Sequence, residues 1–451
     1  MRTGDIAPPA VTPHVLPPGA PIAAWPYRPV IALERLPQAA YVWDDPDPDV
    51  TWDDVTPERV WDAPFIGSGF TDASCDFHGV DIDPGDADDL YLFPSTSCTV
   101  TLDNRSGEYT PWGPDGQLTY WAPGRRLHVW VVGPGAVVEW LFTGRVTGWV
   151  LNADDTVTVT AFDGFSALAQ TLGGEWTPGV AGQTVAQRFA AIIAAAGYTD
   201  PVNVEAGNVT LTAPLLEDST SPLMALQRVA LSDGGIFYSE PDGALDYRNR
   251  LWRAGRTDQP TLWAVSDNVC TVPVVVWDPE LAADDERLAT DVRLVNTADL
   301  TATATLTGSI WAAAGVRYRL THPDPDQWTT QTEGNTLAAY LLAQQSTPAM
   351  ALSRFTLYAQ DPGQAPAVWT MAVQIRRGDR VEVLHEFPGV DGHPGLLDTF
   401  AVVLGVAHTI TPETWVSDVA LSRTVDYRVL ELWDQTRFTW DDPATANTWR
   451  Y

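Results

Sequence analysis

The sequence predicts a mainly β protein with an α+β insertion and extended N- and C-terminal arms. Three observations carry this. Segments such as SCTVTLDN (97–104) and TVTVTAF (156–162) alternate polar and apolar residues with the period of two that half-buried strands show. Between two such β-rich stretches lie segments with helical spacing and clear stop signals. The 451 residues are 45% hydrophobic and 10% aromatic, enough for several cores, which rules out global disorder despite a formal net charge of −32.

In chain order, residues 1–69 form an arm. Its first forty residues are proline-rich, and fixed φ angles with missing amide donors favour an extended chain. Trp43, Trp52 and Trp61 follow in a nine-residue repeat of Trp-Asp motifs that the C-terminus echoes at Trp440 and Trp449. From about residue 70, RLHVWVVG, VVEWLFTGRVTGWVL and TVTVTAFDGF are separated by the turn signals NRSGEY, GPDG, GPG and NADD, which reads as an antiparallel barrel or sandwich over 70–172. An α+β region spans 173–289. In it, residues 184–198 predict a helix with Val185, Phe189, Ile192 and Ile193 on one face and Gly197 as its stop. Residues 221–235 predict a second, with Pro222 in the first turn and Gly234-Gly235 closing it. A hairpin around Pro241-Asp242-Gly243 comes next. The segments DVRLVNT, RFTLYAQ, VWTMAVQIRRGDRVEVLHEF and TFAVVLGVAHTITPETWVSDVALS read as strands of a second β unit over 290–425, interrupted by a helix at 334–346. Residues 426–451 form the C-terminal arm.

Acidic residues outnumber basic ones 58 to 26, and every basic side chain is arginine. Such a chain repels phosphate, so high-affinity nucleic-acid binding is excluded as its function. Cys75, Cys98 and Cys270 share no CxxC spacing, and an odd count is no disulfide framework; Cys75 and Cys98 read as two buried free thiols, the alternative being that they meet across strands. No signal peptide and no apolar run of membrane-helix length is expected, so synthesis in a cytoplasm is the default.

The run TVTLDNRSGEYTPWGPDG, followed by LFTGRVTGWVLNADDTVTVTAFDGFSALAQTL, resembles minor tail proteins of long-tailed (siphovirus-type) phages of actinobacteria, and more broadly the tail-tip (baseplate) hub family. The helix ending in Ala-Gly-Tyr, the helix-hairpin LMALQRVALSDGGIFYSEPDGALDYRNR and the closing VVLGVAHTITPETWVSDVALS are similar to elements of that family, in the same order over about 70–425. The resemblance implies two related antiparallel β-barrel hub domains, at 70–172 and 290–425, in a homotrimeric ring. That ring continues the tail channel, adapts a sixfold tube to a threefold tip, and lets DNA pass during ejection without specific binding. It further implies the distal tail ring protein, the tape-measure protein and other minor tail or receptor-binding proteins as partners. The expected location is the virion tail tip, after synthesis in the host bacterial cytoplasm. No stable membrane insertion is expected.

Enzyme signatures are missing. The seven histidines give no HExxH, no GxSxG elbow occurs, and a chain without lysine has no GxxxxGK[ST]. His385 and His393 flank EFPGVDG and read as solvated loop residues. Asp81, Asp83, Asp86 and Asp88 in DIDPGDADD offer alternating oxygens that calcium needs, although the loop lacks a terminal bidentate Glu. No cofactor is expected. Trp43, Trp52, Trp61, Trp112, Trp121, Trp440 and Trp449 are the candidates for partner contacts, with Trp112 and Trp121 expected to be exposed in or near the turn YTPWGPDGQLTYW. A receptor- or glycan-binding tip protein is the alternative function, and a peptidoglycan hydrolase comes after it.

Overall fold

A computed structural model describes residues 27–34, 70–85, 93–111, 121, 123–133, 138–170, 179–213, 220–250, 263–266, 277–282, 289–296, 300–306, 319–321, 328–345, 351–360, 367–387 and 395–422. The described part is mainly β.

The first β unit comprises β1 (Arg28–Glu34), β2 (Phe70–Asp72), β3 (Phe77–Asp83), β4 (Ser97–Asp103), β5 (Arg126–Val132), β6 (Val138–Leu151) and β7 (Thr156–Phe162). Alternation sets its inner face: Cys98, Val100 and Leu102 of β4 and Val157, Val159 and Ala161 of β7 are fully buried, with threonines between them facing outward. Each buried valine or leucine contributes about 1.5–3 kcal/mol relative to an exposed one. Asp163 caps the short helix α1 (Gly164–Leu168) that leaves this unit.

The middle region begins with β8 (Gln183–Thr184) and α2 (Val185–Ala196). Thr184 and Gln187 form a capping box at the start of α2, and Gly197 ends it at φ 62°, a left-handed conformation that favours glycine. Then come β9 (Val202–Val204), β10 (Thr210–Leu211), α3 (Pro222–Asp233), β11 (Ile236–Ser239) and β12 (Leu245–Arg248). Ser221 caps α3, and β11 and β12 form the expected hairpin.

The second β unit draws on β13 (Trp263–Ser266) and β14 (Trp277–Ala282). A separate sheet of β15 (Asp291–Val295), β16 (Thr301–Thr305) and β17 (Arg319–Thr321) precedes α4 (Gln331–Gln345). Then follow β18 (Ala351–Tyr358), α5 (Ala367–Gln374), β19 (Arg380–Phe387), β20 (Gly395–Ile410) and β21 (Trp415–Leu421).

The two β units repeat one topology. In the first, the strand order is β3-β4-β7-β6-β5, with every pair antiparallel. In the second it is β14-β18-β21-β20-β19, again antiparallel throughout. Local details match as well. Gly124 at φ 84° donates to the Val146 carbonyl, and Val146 donates back to the Arg125 carbonyl, both at 2.7 Å. Gly378 at φ 80° donates to Val403 at 2.7 Å, and Val403 donates to Asp379 at 2.9 Å. Each long strand then carries a bulge, between Val146 and Gly148 and between Val403 and Gly405. The equivalence ends at the sixth position: β1 lies antiparallel to β5, whereas β13 lies parallel to β19. The units join where β3 pairs with the end of β20, making one continuous sheet with a shared core.

The expected boundaries need correction in five places. Residues 28–34, inside the expected arm, are a core strand with Ile31 and Ala32 fully buried; among the described residues β2 pairs only with Ala32–Glu34, so Pro29 lies where no described strand needs its missing amide donor on that side. β13 and β14 fall within the expected middle region but belong to the second β unit. β15–β17, expected in the second β unit, form their own sheet, and their Val292, Leu294 and Ala302 share a core with α2, α3 and α4. Residues 367–374, read as strand, are helix α5, which buries Val368, Trp369, Met371, Ala372 and Val373; a short continuous apolar run does not distinguish the two by periodicity. The α4 helix begins at Gln331 rather than 334, because Thr330 and Glu333 form a capping box there.

Candidate assembly interface

The junction inside the chain shows how one β unit receives another. β20 is paired with β19 over Gly395–Val402 on one side and with β21 on the other. Where β19 leaves, β3 takes its place, with Ile82 opposite His408, Asp81 opposite Thr409 and Val80 opposite Ile410. The covered strand end is finished with buried polar pairs. His408 is 4% exposed, and its ring Nδ1 lies 2.9 Å from Ser417 Oγ. The Trp415 indole donates to Ser417 Oγ at 3.1 Å and meets the Trp369 ring edge-on at 5.4 Å between centroids. Burial, with the nearby Arg376 charge, lowers the His408 pKa to about 3, so it is neutral at physiological pH.

Three further contacts lock the junction. Gly405 sits against Pro84, just past the end of β3: a Cβ there would come within 2.9 Å of the proline ring. Arg377 donates through Nε to the Leu404 carbonyl at 2.6 Å and places its guanidinium 4.5 Å over the Phe93 ring and 5.8 Å from the Tyr238 ring, so a second-unit cation is buried against one aromatic of the first unit and one of the middle region. Asp163 lies in its field and accepts from Ser95 Oγ at 2.6 Å, Thr96 N at 2.9 Å and Phe165 N at 3.1 Å; burial nonetheless raises its pKa. A cleft of about 60 Å³ at this place is lined by Ile82, Asp163, Glu240, Arg377 and His408, well below the roughly 300 Å³ at which small-molecule pockets start.

The corresponding end of β6 is bare. Val150 is 56% and Leu151 42% exposed, whereas Leu141, Phe142 and Val146 of the same strand are buried and Val138, Trp140 and Trp149 partly so. Sequence reading missed these two. The signal was present in Trp149-Val150-Leu151, because three consecutive apolar residues cannot all face inward on a strand of period two.

Of the sequence-predicted contact residues, Trp43, Trp52, Trp61, Trp112, Trp440 and Trp449 lie outside the described residues. Trp121 is described, and the expectation of exposure is corrected: it is 1% exposed, stacks on Trp149 at 5.4 Å, and donates from Nε1 to the Glu108 carbonyl at 2.7 Å. The turn context hid a tryptophan whose neighbours come from distant strands. Of the proposed calcium ligands, Asp81 and Asp83 are exposed on β3, where Asp83 accepts from Gly85 N at 2.8 Å; Asp86 and Asp88 lie outside the described residues. Among the described residues no three metal-ligating side chains come together. His385 is on β19 rather than in a loop, and His393 is outside the description. Cys98 is a buried free thiol, Cys75 a half-buried one, and Cys270 is not described. No described helix is long and apolar enough to cross a membrane.

No protein-family model matches the chain, and no curated protein matches it. Solved structures do. A tail protein from Neisseria meningitidis MC58 superposes with a TM-score of 0.53 at 16% identity, covering 77% of this chain and 92% of that one. The 43 kDa tail protein of prophage MuSo2 from Shewanella oneidensis gives 0.47 at 12%, covering 78% and 93%. The prophage tail protein gp18 from Listeria monocytogenes EGD-e gives 0.42 at 11%, covering 79% and 92%. The chain therefore shares its fold with the Neisseria tail protein over most of both lengths.

Proposed function

We infer that the chain is a structural component of a phage tail, the hub at its tip, and that it works by assembly rather than catalysis. The observation that carries this reading is the internal repeat. One chain holds two β units of the same topology, so three chains present six similar units, which is what a ring needs to join a sixfold tube to a threefold tip. The fold shared with the Neisseria tail protein supports the same class. In this reading the homotrimer continues the tail channel, and its neighbours are the distal tail ring protein, the end of the tape-measure protein and more distal minor tail or receptor-binding proteins. The Trp-Asp segments at both ends dock on those neighbours. The acidic balance of 58 to 26 keeps DNA from sticking as it passes. The chain is made in the host cytoplasm and ends in the virion tail.

Gold-labelled antibody against the chain, applied to particles from a producing lysate, tests the reading. Label at the distal end of the tail is expected. Label on peripheral spikes together with binding of the purified chain to host cells moves the function to receptor recognition. A cleared band in a cell-wall zymogram moves it to a hydrolase.

A further inference from the structure

One apolar cluster of the first β unit belongs to neither main core. It crosses β1, β5 and β6 through Val30, Ala32, Trp130, Val132, Val138 and Trp140. Strand pairing sets Val30, Trp130 and Trp140 in one row and Val132 beside Val138 in the next. These residues lie on the face opposite the main core, which takes Ile31, Leu33, Val129 and Val131 from the same strands. Val30 is only 7% and Trp130 only 3% exposed. An antiparallel sheet face reaches such burial under a second layer and is otherwise left to water. Yet among the described residues every apolar member of the cluster comes from this one sheet. The middle-region hairpin reaches one end of the face, where a Cβ added at Gly243 would come within 2.7 Å of Thr143, the neighbour of His128. The second unit is built differently at this place. Counted from the equivalent glycines Gly124 and Gly378, the counterpart of buried His128 is Glu382, a half-buried carboxylate that keeps its water.

We propose that the proline-rich residues 1–26 of the same chain supply this second layer, lying across the outer face of the first unit on Trp130, Val138 and Trp140. Three observations select this occupant. The first is where the segment ends. The Tyr27 ring is fixed by stacking on Trp369 at 6.2 Å, and the next residue, Arg28, pairs with Val132, so residue 26 stands at a corner of the cluster. From there, crossing from β1 to β6 takes about 10 Å, which about four extended residues cover. The second is composition. Seven of residues 1–26 are proline, and Arg2 and Asp5 are their only ionised side chains at neutral pH. Proline needs no amide partner, so such a chain covers a sheet face through ring and side-chain contacts alone, as proline-rich ligands do on aromatic grooves. The third is the surface itself, where the Trp130 and Trp140 rings lie 5.5 Å apart at a 52° tilt. Residues 35–69 also leave and rejoin this sheet, between Glu34 and Phe70, but they carry eight carboxylates that would have to shed water on an apolar face. The packing is independent of any role in a tail. It takes residues 1–26 out of the parts of the chain that reach neighbours and leaves that role to the Trp-Asp segments.

The test places the photo-cross-linking residue p-benzoylphenylalanine at position 138 of the full chain and locates the link by sequencing the joined peptides in a mass spectrometer. The expected product runs as a monomer on a denaturing gel and joins position 138 to residues 1–26. A link to residues 35–69, a dimer-sized product joined to a second copy, or no link to residues 1–26 overturns the proposal. A second measurement does without the bulky probe. Val132→Cys is labelled with a maleimide in the otherwise native chain and in one that also carries Val15→Ser, Leu16→Ser, Ile22→Ser and Trp25→Ser. Labelling at position 132 is expected to become at least ten-fold faster in the second chain, while the half-buried Cys75 reacts at an unchanged rate. Equal rates at position 132 overturn the proposal.

Discussion

The two β units share strand order, turn geometry and bulge, yet the ends of their long strands have opposite characters. The end of β20 is covered by β3, holds a histidine and a serine inside, and needs a glycine where Pro84 presses on it. The end of β6 carries the exposed apolar residues Val150 and Leu151, and a Cβ added at Gly148 would meet Thr160 at an ordinary 3.5 Å. The difference teaches that strand ends of one topology carry different residues according to what packs on each face: His408 is buried under Trp415 and Ser417, while Val150 and Leu151 are exposed. A buried polar pair is tolerated where its neighbours exclude water and satisfy it.

The largest test of this comparison concerns the aromatic centres. Trp121 in the first unit and Trp415 in the second are both almost fully buried. Alanine at either is expected to cost about 3–5 kcal/mol in urea unfolding. A Trp121→Ala chain of unchanged stability would mean that this residue serves contacts outside the chain and that the two centres are not alike.

Acid sensitivity comes next. Burial, with the Arg126 charge, lowers the His128 pKa to about 4, and burial lowers that of His408 to about 3. The unfolded chain takes up these protons near the usual 6.5, so stability is complete above pH 6.5 and falls as pH drops toward the folded values. The loss is about 1.4 kcal/mol per pH unit for each histidine. Asp163 and Asp233, raised by burial, act in the opposite direction. Comparing His408→Gln with the parent chain between pH 7.5 and 4.5 isolates the second-unit share, and an unchanged slope would contradict it.

The glycines separate the two units more finely. Gly405→Ala is expected to destabilise by about 1–3 kcal/mol through overpacking on Pro84, while Gly148→Ala stays within about 0.5 kcal/mol in the monomer. Equal losses would remove the distinction between covered and uncovered strand ends. Conversely, Gly124→Ala and Gly378→Ala force alanine into the same left-handed turn and are expected to cost the same, about 1–2 kcal/mol each, in thermal or urea melts. Unequal costs would show that the turns are not equivalent.

Much of the local structure was legible. The helices over 184–198 and 221–235 follow from Thr184, Ser221, Gly197 and Gly234, whose capping roles depend on neighbours only a few residues away. The hairpin at Pro241-Asp242-Gly243 is local in the same sense. What escaped depends on distant partners. β1 reads as arm because proline surrounds it, and only β5 and β2 make it a strand. The β15–β17 sheet alternates as well as any barrel strand, and nothing in its residues names the α2–α3–α4 core that it joins. Trp121 sits among turn residues, and its burial is decided by Trp149 and Tyr109. Val150 and Leu151 could have been noticed as a break in alternation, but their meaning needs the second unit for comparison.

The most direct measurement is a cryo-EM reconstruction of the tail end of particles from a producing lysate, without imposed symmetry. The account predicts three copies around a channel, each giving two β units to a ring of six similar positions. Copies found only on peripheral spikes, or a tail end without this chain, would contradict it.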